Sequence, residues 1–160
     1  MVPGIILGST LGDYFGGYEG KGMKNALALC VMFGALASIF SISLSFVFEP
    51  KLFVLLLWLF FFCGAGTMPI SNGIILGCVP KLTQNSASAL FFVFENLIGY
   101  AMAPFLSTAV IDLYENKREG MIHGYRIPLY AGPVLTLLFL FARFIVQKHL
   151  RRMSKERKKA

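Results

Sequence analysis

Charge is scarce in this chain. Of its 160 residues, only 14% are Asp, Glu, Lys or Arg, where a soluble domain carries about a quarter. So little charge cannot clothe a water-facing surface, and the 56% of hydrophobic residues calls for another solvent. Cysteine and histidine are also few. Cys30, Cys63 and Cys78 are odd in number and fall within or at the ends of apolar runs, which argues against a disulfide framework and predicts buried free thiols. His123 and His149 stand in separate polar segments, so no metal-ligand spacing arises, and the expectation is neither metal nor cofactor. Serine, histidine and acid residues make no nucleophilic constellation, and no phosphate-cradling loop is followed by Lys and Ser or Thr. The chain does not read as an enzyme.

What is present is long apolar blocks. Residues 26–48 and 52–79 contain no charge, and each reaches the roughly 20 residues that cross about 30 Å of hydrocarbon. Residues 87–111 carry Glu95 as their sole formal charge, and residues 127–147 carry Arg143. Four transmembrane helices in a lipid bilayer are therefore predicted, giving an all-α, multi-pass integral membrane bundle. Residues 1–15 offer only about a dozen apolar positions before Asp13, too few to cross at 1.5 Å per residue. No basic region or small-residue cleavage site marks them as a signal. Gly8, Gly12 and Gly16 recur at four-residue spacing, which clears a face for close packing. The segment reads as the end of a further crossing, followed by a loop at 16–25.

Basic residues collect in alternate loops. The loops 16–25 and 80–86 with the tail 148–160 hold ten, against four at Lys51, Lys117, Arg118 and Arg126. By the positive-inside rule the tail is cytoplasmic. That tail, QKHLRRMSKERKKA with its preceding glutamine, abuts a span and lacks interleaved aromatics, which favours attraction to anionic lipid over nucleic-acid binding.

Helix interiors carry the remaining information. Gly34, Ser38, Ser41 and Ser45 form a small, mildly polar stripe that suits either helix packing or a pore lining. Gly64, Gly66, Pro69, Gly73 and Gly77 interrupt the next span, and Pro69 predicts a bend or hinge. Gly99 and Pro104 repeat the theme in the third span. Irregular backbone is tolerated in lipid only where protein or cavity water satisfies it. Glu95 would lie roughly 12 Å from the nearer end of its span, and ionised and unpaired it would cost about 2.5–3.5 kcal/mol on insertion scales. It is expected to face inward, with Asn96 and Asn72 as polar neighbours. It serves either as a proton or substrate cation site or as a structural carboxyl bonding another helix.

The segment GSTLGDYFGGYEGKGMK, residues 8–24, resembles the signature loop of the major facilitator superfamily: Gly, three residues, Asp, a basic residue, any residue, Gly, then basic residues. Asp13, Gly16, Lys21 and Lys24 fit; Ser9 stands for the first glycine and Tyr14 for the first basic residue. GCVPKLTQNSASALFFVFENLIGYAMAPFLSTAVID, residues 77–112, is similar to the spinster-like and organic-anion-transporting branches at Val79, Pro80, Ala87, Gly99, Pro104 and Asp112, with Thr108 where glycine is usual. The resemblance implies the carboxyl-terminal portion of a twelve-helix fold, with residues 1–15 equivalent to the end of helix eight and the four spans to helices nine to twelve.

It further implies a fragment of a secondary active transporter. Such a protein moves a small organic or lipid-like solute by alternating access, with possible proton coupling, and the partner of this chain is the missing amino-terminal half. A different expectation is a complete small membrane subunit that scaffolds an assembly through its glycine and serine faces. Plasma and endolysosomal membranes are not distinguished by the residues.

Overall fold

The computed structural model describes residues 2–18, 21–47 and 49–157, with only the backbone course at Lys21, Tyr100 and residues 149–157. The described residues are helical throughout apart from short connections. They form α1 (Val2–Tyr14), α2 (Lys21–Leu44), α3 (Pro50–Cys78), a 3-10 turn (Lys81–Thr83), α4 (Gln84–Glu95), a π-helical segment (Asn96–Met102), α5 (Ala103–Asp112) and α6 (Lys117–Arg157). Four stretches are long and apolar enough to cross a membrane: Gly22–Leu44, Pro50–Cys78, Lys81–Asp112 and Lys117–Lys148.

The packing centre lies between α2 and α3. Ala26, Leu29, Cys30, Phe33 and Ala37 of α2 meet Cys63 and Ile70 of α3, with Phe40, Phe60 and Phe139 around them. Cys30 and Cys63 are buried free thiols, as their apolar setting predicts, whereas Cys78 is exposed because α3 ends there. On one side α1 lies against α3 through Gly4 and Gly8, both buried. A Cβ at Gly8 would sit 2.9 Å from the Gly66 Cα, so the two backbones touch directly. Without a hydrophobic force between helices in lipid, such close approach is a main source of attraction.

On the other side α2 meets α6 through the small polar stripe, which here serves packing. Ser38 Oγ lies 2.9 Å from Thr136 Oγ1, and a Cβ at Gly34 would fall 2.8 Å from that same hydroxyl. Ser41 Oγ donates to the Leu129 carbonyl. That carbonyl is special because residue 133, four positions on, is proline and has no N–H to offer it. The serine of α2 replaces the donor that Pro133 withholds.

α6 extends past both ends of the apolar run 127–147. At its start Asn116 acts as a cap: its Oδ1 accepts from the Arg118 N–H at 3.2 Å, and its carbonyl accepts from the Gly120 N–H at 3.0 Å. Gly120 and Gly124 then let α6 press onto α5, where a Cβ at Gly124 would meet the Ser107 carbonyl at 2.7 Å. Pro69 lies inside α3, which stays helical from Pro50 to Cys78. A change of helical type falls in the third span, at Asn96–Met102. Within that span α4 packs on α3 and α5 packs on α6.

Ser41→Ala should lower stability in detergent by about 1–2 kcal/mol, the scale of an interhelical hydrogen bond in lipid. Adding Pro133→Ala should restore most of it, because the new N–H satisfies Leu129. Chemical or steric-trap unfolding of the four variants measures the coupling, and strictly additive effects would refute the pairing.

Candidate functional site

The seam between α3 and α4 gathers the polar groups of the third span. Gln84, Ser88, Phe91 and Glu95 are half-buried and recur at helical spacing, so they occupy the face of α4 that looks into the protein. Gln84 Nε2 donates to the Leu76 carbonyl at 3.0 Å, and Ser88 Oγ donates to Asn72 Oδ1 at 3.2 Å. Two side chains thus fasten α4 to α3 below the level of Glu95.

Glu95 is the last residue of α4 and Asn96 opens the π segment. Among the described hydrogen bonds none involves the Glu95 carboxyl. Asn96 is exposed, and its Nδ2 donates to the Phe92 carbonyl of its own helix at 2.7 Å. Asn72 is engaged with Ser88. The structure therefore places Asn72 on the seam and half-buries Glu95, leaves Asn96 exposed on its own helix, and bonds none of the three to another. The wider π turn lies directly before Pro104, in the first turn of α5, where the proline removes a donor and crowds the preceding turn. Gly99 sits in the middle of this segment, and a Cβ there would meet nothing within 4 Å. Glu95 is thus half-buried at the entry of the π segment.

At the end of the seam lies the hairpin between α1 and α2. Gly16 and Gly17 adopt φ of 103° and 71°, a region where only glycine is unstrained, and this turns the chain back. Asn25 Nδ2 donates to the Phe15 carbonyl at 3.0 Å and ties the turn to α2. Asp13 is exposed, Lys24 is half-buried in the first turn of α2, and the Lys21 side chain lies outside the described ones. The hairpin's contact with the bundle is made by Tyr18, which sequence reasoning did not single out. Cβ atoms at Gly12 and Gly73 would fall 2.9 and 2.7 Å from its ring, and one at Gly77 would fall 2.6 Å from its carbonyl.

Gly73 and Gly77 are thus a slot for a tyrosine, and their four-residue spacing was the available signal. Next to the ring is a cavity of about 470 Å³ that Gln84 also lines, which joins the hairpin to the α4 seam. Burial raises the Tyr18 phenol above its ordinary range, and the Asp13 carboxylate raises it further. No family model, no curated protein and no solved structure matches this chain.

Tyr18→Ala should raise tryptic cleavage at Lys24 about tenfold, the effect of losing about 1.4 kcal/mol of local protection, whereas Tyr18→Phe should keep the ring seated. Because the folded phenol is raised, its contribution holds below pH 10 and is lost as pH rises through the folded value. Cleavage of the wild type should rise on the alkaline side and that of Tyr18→Phe should not; equal cleavage of all three would remove the tyrosine from this role.

Proposed function

We propose that this chain is the carboxyl-terminal part of a secondary active transporter of major facilitator type, which moves a small organic or lipid-like solute by alternating access and can couple to protons. The observation that carries the reading is Glu95: a lone carboxyl on the inward face of a spanning helix, beside a π segment and Gly99. An intramembrane acid is costly enough that it marks an ion or substrate path more often than inert packing. The signature-like hairpin, with Asp13 and Gly16 at the turn, adds the second support.

The uneven packing adds a third. None of the apolar window of the third span is buried, and Leu90, Phe94, Leu97, Ile98 and Phe105 are exposed along it. Such a span suits a position between this part and another half of the bundle. In this reading the hairpin and the basic end of α6 are cytoplasmic, and the solute site lies near the midplane between the halves.

In proteoliposomes of the complete transporter, Glu95→Gln should abolish uptake driven by a pH gradient while insertion and yield stay unchanged. Unchanged gradient dependence would end the coupling role. A test that needs only this chain uses Glu95→Cys with Cys30, Cys63 and Cys78 replaced by serine. A hydrophilic thiol reagent should label position 95 and leave a cysteine at Leu137 unlabelled; an inert position 95 would place the acid against lipid.

A further inference from the structure

At the end of the bundle remote from the hairpin, α2, α3 and α6 enclose a second cavity of about 370 Å³, within the size range of ligand sites. Its walls are apolar, from Leu44, Val47, Phe53 and Leu129, and one cation, Arg126, stands among them. Among the described residues no acidic side chain lines it. Met121, Ile122 and Tyr125 form an exposed rim, so the cavity opens to the surface.

Arg126 Nη2 donates to the Ser45 carbonyl at 3.1 Å, just past the last residue of α2, where carbonyls lack intrahelical donors and carry partial negative charge. This bond fixes the guanidinium. It consumes one of five N–H donors, and the planar fork matches phosphate oxygens in pairs. Depth along the bilayer follows from α6 itself. Arg126 and Lys148 lie roughly 33 Å apart along that helix, about one hydrocarbon thickness. Arg126 is therefore at headgroup level, and Phe53 and Tyr125, with ring centroids 5.8 Å apart, lie where interfacial aromatics collect.

We propose that this cavity seats an anionic phospholipid of the surrounding leaflet, with its phosphate on Arg126 and the first part of one acyl chain between Leu44, Val47, Phe53 and Leu129. The leaflet supplies both halves of such a ligand at this depth. A headgroup whose phosphate is not balanced by its own ammonium is favoured, because the site offers a cation and no acid. The proposal rests on the membrane setting and not on the transport reading.

The full chain is equilibrated in vesicles of phosphatidylcholine and phosphatidylglycerol in roughly equal parts, extracted in neutral detergent, and its retained lipids counted by native mass spectrometry. The wild type should keep phosphatidylglycerol in preference to phosphatidylcholine. Arg126→Gln should lower its retention about tenfold, the effect of one charge-assisted hydrogen bond. Met121→Trp fills the mouth while leaving the Arg126 to Ser45 bond intact, and should lower retention with an unchanged melting temperature. Neutralising the tail with Arg151→Gln, Arg152→Gln and Lys155→Gln should leave the adduct in place. Equal retention by Arg126→Gln, equal retention of phosphatidylcholine, loss with the tail charges, or displacement by inorganic phosphate would each overturn the proposal.

Discussion

Hydrocarbon offers no hydrogen bonds, so every polar group carried into it must find a partner inside the protein. Proline sharpens that demand, since each one inside a helix leaves a carbonyl unanswered. The Ser41 hydroxyl answers the carbonyl that Pro133 exposes, and around that bond α2 and α6 close through Ser38, Thr136 and Gly34. Close approach at these small residues then brings Phe139 onto the packed aromatics and thiols between α2 and α3.

The bundle is consequently uneven. One part, α1 with α3 and α2 with α6, is zipped by glycine and serine contacts that tolerate almost no added atoms. The other part, α4 through the π segment to α5, touches its neighbours at its two ends and leaves its middle open. Dense packing resists displacement, while few buried contacts lower the cost of local rearrangement. Glu95 stands at the boundary between these regimes.

Both ends of the bundle have their own fastening. At one end a tyrosine on a glycine turn fills a slot in α3; at the other an arginine closes the carboxyl end of α2 beside an apolar cavity. In each case a polar or aromatic tip is held by backbone, the partner that does not vary with side-chain rotation. The first ties the hairpin to α3, and the second ties α6 to the end of α2.

The helical class and the four long apolar stretches were legible in residue order, because length, charge and helical periodicity are local quantities that the bilayer reads directly. The capping of α6 by Asn116 was legible in principle too, as Asn followed three residues on by Glu119. Other features were not. Where the backbone would change helical type was one of them: α3 stays α-helical through Pro69, while the turn before Pro104 is π-helical. The serine stripe of α2 could equally have lined water, and it became a packing face only when Thr136 and the Leu129 carbonyl arrived opposite it. Tyr18 entering a slot on α3 and Arg126 reaching the Ser45 carbonyl join positions far apart in the chain. Such pairings follow from which helix faces meet, a matter of close packing that periodicity along one helix does not contain.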